Sequence, residues 1–186
     1  MRLFVAVDFD NKTKQKISEL QRELREMSVK GRWKHIDNFH LTLKFLGEVE
    51  GQKLDLIRQV LTGAAGAVEP FSIRLGELGC FNGRESLRVV WLGMQGEVQI
   101  LNRLSTGIDN NLNIIGFEKE KRQFTPHITI AQDVIFKEDF NTVKTIINRF
   151  EFEDIYVDRF VLMKSEQIEN KRVYTPINEL VLNKRP

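Results

Sequence analysis

The sequence predicts an α+β fold in which two lobes of antiparallel sheet, related by a pseudo-twofold axis, carry their helices on the outside and enclose a cleft. Two observations predict it. The order strand, helix, strand, helix, strand occurs twice within 186 residues. The third element of each series also carries the same polar pair, in "FHLTLKFL" at 39–46 and "PHITIA" at 126–131. We therefore expect one bilobal domain made of two interleaved repeat units, about 1–80 and 86–186.

The first unit is predicted from the spacing of its apolar residues, which recur every three or four positions in helices and alternate or run together in strands. Its elements are a strand at 3–9, a helix at 11–28, the first His-x-Thr strand ending at 47, a helix at 52–62 and a strand at 71–75. The segment at 32–38 and the small residues at 63–66 are predicted to be connectors.

The second unit repeats this order after a glycine-spaced loop predicted at 76–86. Its elements are a strand at 87–94, a helix at 97–112, a charged loop at 117–123, the second His-x-Thr strand and a helix at 138–150, with two closing strands in 152–165 and 172–182. The separation from Leu3 to His40 nearly equals that from Val89 to His127. The two units therefore repeat the order and spacing of their elements, not the identity of their residues.

The composition is that of a globular protein with balanced charge. The 28 basic and 26 acidic residues leave a net charge of +2, which argues against a broad nucleic-acid-coating surface and leaves room for a local basic groove. The single cysteine, Cys80, excludes an intramolecular disulfide and a cysteine-rich metal cluster. No apolar run approaches the roughly 20 residues that span a bilayer, and the N-terminal run is too short for a signal sequence. We expect a cytoplasmic monomer without membrane association or an obligate protein partner.

The His-x-Thr pairs are the candidate reactive groups. Side chains alternate along a strand, so His40 and Thr42 share one face while Leu41 faces the core, and His127 and Thr129 repeat this arrangement. Two imidazoles and two hydroxyls would then line the floor of the cleft. Imidazole, with an ordinary pKa of about 6.5, can act as a base that takes a proton from water or as an acid that returns one to a leaving oxygen.

Such a pair suits the in-line opening of a strained cyclic phosphate, with the hydroxyls bonding its non-bridging oxygens. A structurally satisfied histidine is the usual alternative for a single His in an apolar strand, but the repetition in matching positions favours function. A metal site would need a third ligand, and neither motif has one, so we expect no metal and no cofactor.

At these residues the chain resembles the two-histidine phosphoesterase superfamily, and within it the RNA 2',3'-cyclic phosphodiesterases, also called LigT-like 2'-5' RNA ligases. "RLFVAVDF", "NFHLTLKFLGEV", "RVVWLGM", "FTPHITIAQ", "FVLMKS" and "YTPINELVL" are similar to successive family segments, so the resemblance spans nearly the whole chain.

The resemblance implies metal-independent hydrolysis of a terminal 2',3'-cyclic phosphate to a 2'-phosphate. It implies that His40 and His127 are the catalytic pair and that Thr42 and Thr129 hold the phosphate. Within the pair, we assign His127 as the base on water and His40 as the acid on the leaving 3' oxygen. The reverse reaction, 2'-5' ligation, should be accessible on the same site. Gln132 stands where the family often has arginine, which affects base preference and affinity rather than the chemistry.

Two further residues are candidate substrate contacts: Lys44, because it continues the His40 face, and Arg122, because it lies in the charged loop before the second motif. The predicted partner is an RNA end or nucleotide with a 2',3'-cyclic phosphate. Two alternatives stay open: hydrolysis of another cyclic phosphate or of a 2'-5' oligonucleotide, and a non-catalytic module that binds RNA ends.

Overall fold

A computed structural model describes residues 1–183 of the chain. Its strands are β1 (Arg2–Asp8), β2 (Ser28–Trp33), β3 (His40–Glu48), β4 (Phe71–Asn82), β5 (Leu87–Gly96), β6 (His127–Phe136), β7 (Ile155–Val157), β8 (Arg159–Ile168) and β9 (Lys171–Val181). Its helices are α1 (Asn11–Glu26), α2 (Leu54–Gly66), α3 (Val98–Ile114) and α4 (Phe140–Val143), with 3₁₀ segments at Ile36–Asn38, Gly51–Lys53 and Lys144–Arg149. The fold is α+β, as predicted.

All nine strands belong to one antiparallel sheet, in the order β7-β4-β5-β6-β3-β1-β8-β9, with β2 paired to β6. The two halves of four strands exchange elements, because β4 of the first series pairs with β5 and β8 of the second pairs with β1. The halves meet where β3 pairs with β6 at Leu41 and Ile128. The two His-x-Thr strands are therefore neighbours at the centre of one sheet.

The helices cover one face of this sheet and form the main core with it. The apolar stripes of α1 and α3 are fully buried, as are Leu41, Ile128 and Ile130, and Leu43 is nearly so. This confirms that the aliphatic side of each His-x-Thr strand faces the core. The opposite face carries a smaller buried cluster of Phe4, Ala6, Val161 and Met163 with Tyr174 packed against it.

The helix predicted at 11–28 ends at Glu26, because the chain then enters β2. Asp10 caps its start by accepting a hydrogen bond from the Thr13 amide at 2.7 Å.

The connector predicted at 32–38 begins too early. Its first two residues belong to β2, which pairs with β6 from Ser28 to Trp33. No side chain of β2 is fully buried, so its sequence lacks the alternation that reveals a strand.

Three other boundaries differ from prediction. The small residues at 63–66 are helical, because Ala64 and Ala65 are buried and α2 runs to Gly66. Residues 76–82, predicted as loop, extend β4 against β5. The helix predicted at 138–150 is the short α4 followed by 3₁₀ turns.

No helix within residues 1–183 is both long enough and apolar enough to cross a bilayer.

Candidate active site

His40 lies at the start of β3 with both ring nitrogens engaged. Its Nδ1 is 2.8 Å from the carbonyl oxygen of Asn38, two residues back in the chain. Because a carbonyl can only accept, Nδ1 carries the proton, and the lone pair of Nε2 accepts from the Thr42 hydroxyl at 3.1 Å. The tautomer that leaves Nε2 available for proton transfer is thus set by the backbone.

The His40 ring is enclosed by aromatic side chains. Phe4 lies 4.8 Å from it between ring centroids, and Tyr174 lies 5.0 Å away in a perpendicular arrangement. This burial lowers the pKa of His40 to about 4; the hydrogen bond to Asn38 opposes the shift and the charge of Lys34 adds to it. His40 is therefore a neutral imidazole at neutral pH in the free protein.

His127 repeats the backbone arrangement at the start of β6, since its Nδ1 is 2.6 Å from the carbonyl oxygen of Thr125, again two residues back. Its aromatic neighbours are Phe81, at 5.4 Å and nearly perpendicular, and Trp91, at 6.1 Å. His127 and Thr125 are more open to solvent than the His40 pair. The two imidazoles thus share a tautomer and differ in enclosure.

Gly79 makes room for the wall beside His127. It is the β4 partner of Trp91 on β5, and a Cβ built on it would lie 2.2 Å from the Trp91 ring. Gly79 therefore lies in β4 and not in the loop predicted at 76–86. A larger residue at this strand position would displace the Trp91 indole, which packs toward His127, so the position requires glycine.

One cavity of about 450 Å³ collects most of the predicted site residues. Both histidines and both threonines line it, together with Gln132. The antiparallel register around Leu41 and Ile128 explains this, because it brings the polar faces of β3 and β6 side by side.

Sequence reasoning missed three cations that line the same cavity, Arg2, Lys34 and Arg172. Lys34 is half-buried, and this burial lowers its pKa, with further lowering by the charges of Arg32 and Arg172. Arg2 and Arg172 lie near opposite ends of the chain, and the segments that carry them give no sign that these two residues meet. No local sequence signal could have joined them.

Lys44 does not lie on the His40 face, which corrects its prediction as a phosphate contact. Ala6 pairs with Thr42 and Val5 with Lys44, so Leu43 is an extra residue that bulges β3 and turns Lys44 toward the helices. The Lys44 ammonium is buried against the Asp109 carboxylate at 2.6 Å and the carbonyl oxygen of Glu118 at 2.5 Å.

The bulge also turns Phe45 to the face that Lys44 would otherwise occupy, where Phe45 is 61% exposed and lines the cavity. A second cavity of about 730 Å³ shares Thr42, Phe45 and His127 with the first. Arg122 lines this second cavity and is exposed, so it lies near His127 as a candidate substrate contact.

The described residues contain no group of three or more His, Cys, Asp or Glu side chains arranged to hold a metal ion. What the site offers is two backbone-oriented imidazoles, two hydroxyls and several cations around one cavity. These groups can exchange protons and bind an anion.

A duplicated antiparallel sheet with a His-x-Thr pair on each central strand defines a two-histidine phosphoesterase. The chain belongs to the LigT-like phosphoesterase family, whose sequence profile matches it twice, over residues 7–91 and 92–174.

Relatives align over nearly the whole chain. An RNA 2',3'-cyclic phosphodiesterase of Methanocaldococcus jannaschii is 32% identical over 184 residues, covering 96% of this chain and 99% of the relative. One of Thermotoga maritima is 30% identical, covering 96% and 94%. The crystal structure of E. coli LigT complexed with 3'-AMP superposes with a TM-score of 0.79 at 28% identity, with 98% of each chain covered.

Proposed function

We propose that this protein is an RNA 2',3'-cyclic phosphodiesterase that hydrolyses terminal 2',3'-cyclic phosphates to 2'-phosphates without a metal ion. The observation that carries the proposal is that both His-x-Thr pairs line one cavity, each imidazole with its Nδ1 bonded to a carbonyl two residues back. The names of the full-length relatives support the same substrate.

In the proposed reaction Thr42 and Thr129 donate hydrogen bonds to the non-bridging oxygens of the cyclic phosphate. His127 Nε2 takes a proton from the attacking water. His40 Nε2 gives a proton to the 3' oxygen as its bond to phosphorus breaks, which leaves a 2'-phosphate and a 3'-hydroxyl. The entering and leaving oxygens then lie on opposite sides of phosphorus.

The lowered pKa of His40 adds a condition to this assignment. A neutral imidazole cannot act as the acid, so His40 must gain its proton when the anionic substrate enters and stabilises the imidazolium. The neutral state of His40 in the free protein favours the opposite assignment, in which His40 is the base and His127 the acid.

A substrate with sulfur in place of the leaving 3' oxygen separates the two assignments, because a thiolate leaves without protonation. With His40 as the acid, His40→Ala regains most of its lost rate on this substrate and His127→Ala does not. Recovery by His127→Ala alone would reverse the roles.

The main test is end analysis of an RNA oligomer that terminates in a 2',3'-cyclic phosphate. We expect conversion to a 2'-phosphate, identified by chromatography against 2'- and 3'-phosphate standards. His40→Ala and His127→Ala should each lower kcat/KM on the order of 10²–10⁴-fold, the usual contribution of a general acid or base. His35→Ala is the matched control, since within residues 1–183 this exposed histidine bonds only to its neighbour Asp37.

Substantial activity in both histidine variants would contradict the acid–base pair. An RNA end that stays cyclic would support the alternative of a non-catalytic binding module. Turnover of a different cyclic phosphate or a 2'-5' oligonucleotide in preference to the RNA end would support the other alternative.

The reverse reaction, joining a 2',3'-cyclic end to a 5'-hydroxyl in a 2'-5' linkage, belongs to the same proposal because each histidine only exchanges its protonation role. We also propose a cytoplasmic monomer in which units of about 1–80 and 86–186 interleave, the last three residues lying outside the described part of the chain. The exchange of β4 and β8 between the sheet halves supports the interleaving.

A further inference from the structure

The cavity holds more positive charge than a cyclic phosphate needs. A cyclic phosphodiester carries a single negative charge, and the two threonine hydroxyls and two imidazoles already address it. Arg2, Lys34 and Arg172 also line the cavity, and none of its described lining residues is a carboxylate. The neighbouring cavity, in contrast, includes Asp109 and Glu120.

The three cations come from separate elements that meet on the His40 side. Arg2 begins β1, Lys34 follows β2 and Arg172 is the second residue of β9. The charges of Arg2 and Arg172 both act on Tyr174, whose ring is 5.0 Å from that of His40, and the charge of Lys34 acts on His40 itself. The aromatic contacts of His127 come instead from Phe81 and Trp91.

The fold holds this end of β9 in place. The Asn38 side-chain amide donates to the carbonyl oxygen of Arg172 at 2.9 Å, and the Asn38 carbonyl accepts from His40. The backbone that carries Arg172 is thereby tied to the backbone that orients His40. The fold therefore fixes the position of the Arg172 backbone relative to that of His40.

The cluster has no counter-ion within residues 1–183, where Arg2, Lys34 and Arg172 form no ion pair with a carboxylate, whereas the nearby Arg32 pairs with Asp133. Burial lowers the pKa of Lys34, and the charges of Arg32 and Arg172 lower it further, so a charged Lys34 ammonium costs free energy in this position. A bound anion would remove this cost, which is why uncompensated cations in a cleft are typical of anion sites.

We propose that Arg2, Lys34 and Arg172 form a subsite for a second phosphate of the substrate, the one on the 5' side of the nucleoside that bears the cyclic phosphate. This rests on the proposed function. Only the ribose separates the two phosphates, so both fit one cavity of about 450 Å³. The subsite favours RNA ends and 5'-phosphorylated nucleotides over nucleoside cyclic phosphates that have a 5'-hydroxyl. Because it contacts only the phosphate, it does not discriminate between bases.

The test compares two substrates that differ only at the 5' position: one nucleoside 2',3'-cyclic phosphate with a 5'-hydroxyl and the same compound with a 5'-phosphate. We expect the wild-type kcat/KM to be higher for the phosphorylated compound on the order of tenfold, since hydrogen bonds to a charged group contribute about that factor. The preference should shrink as salt is raised, because screening weakens exposed charge pairs.

Arg172→Met and Arg2→Met should each lower the ratio of the two kcat/KM values severalfold, and Arg172→Lys should retain part of it. Lys171→Met is the matched control, because it removes one charge from the same exposed hairpin without touching the cavity and should leave both substrates unchanged. Thermal unfolding of each variant checks that it is folded.

Equal wild-type kcat/KM for the two compounds overturns the subsite and leaves the proposed function standing. If the arginine variants lose kcat/KM equally on both substrates, the subsite is overturned as well. The cations would then bind the cyclic phosphate itself. Absence of wild-type turnover on both compounds overturns the proposed function, and the subsite with it.

Discussion

At the scale of single residues, the two candidate catalytic histidines are alike in what holds them and unlike in what surrounds them. Each donates Nδ1–H to a carbonyl two residues earlier, in the segment that precedes its strand, so the local backbone sets the tautomer. His40 is packed between Phe4 and Tyr174, and this burial lowers its pKa. Because the ring is buried, a protonated His40 lowers the stability of the folded protein.

The lowered pKa of His40 predicts how stability depends on pH. Between pH 6.5 and about 4 the unfolded chain binds a proton at this residue that the folded protein does not. The free energy of unfolding should therefore fall by about 3 kcal/mol from this residue as pH drops through that range, and change little from it above pH 7. Urea titrations at several pH values measure this.

His40→Asn should remove this part of the pH dependence, and His35→Asn, which alters an exposed histidine, should retain it. Parallel profiles for the wild type and His40→Asn would contradict the neutral, buried state of His40.

At the scale of elements, the bulge at Leu43 decides what β3 presents to the cavity. It turns Lys44 inward and Phe45 outward, so one extra residue reverses the alternation that the sequence predicts. The buried Lys44 ammonium then joins β3 to Asp109 on α3 and to the loop carbonyl of Glu118. This loop leads to Thr125 and His127, so Lys44 supports the site indirectly.

We expect Lys44→Met to lower the free energy of unfolding by about 3 kcal/mol, because it leaves the partly buried Asp109 carboxylate unpaired. Trypsin should also cleave faster after Lys119 and Lys121 in the released loop. Chemical denaturation and timed proteolysis measure the two effects. Lys53→Met, at an exposed lysine, is the control, and unchanged cleavage in Lys44→Met would show that the pair does not hold the loop.

At the scale of the whole molecule, exchange of β4 and β8 brings the two His-x-Thr strands together at the centre of one sheet. Neither half is complete without a strand from the other series. The cavity therefore forms only when both halves have folded. It gathers imidazoles, hydroxyls and cations, groups that can transfer protons and bind an anion.

Turnover should therefore survive treatment with EDTA followed by dialysis, and added divalent metal ions should not raise kcat. The assay is hydrolysis of a 2',3'-cyclic nucleotide, with a metal-dependent phosphatase treated in parallel to confirm that chelation worked. Activity that EDTA abolishes and one metal ion restores would contradict the acid–base mechanism.

The sequence by itself determined the features that depend on short-range periodicity. Alternation put His40 and Thr42 on one face of a strand, and three-four spacing located α1 and α3 within two residues at each end. Repetition of the same order predicted the α+β fold. Strand β2 and the end of β4 escaped prediction because their side chains do not alternate in burial.

Only the tertiary structure decided what surrounds the histidines. Arg2 and Arg172 reach one cavity because β1 and β9 both flank β8, and Lys44 leaves the cavity because β3 bulges against β1. Strand order and bulges arise from contacts between segments far apart in the chain, so no local pattern records them. The candidate catalytic pair could therefore be predicted from sequence, whereas its protonation and its charged surroundings required the fold.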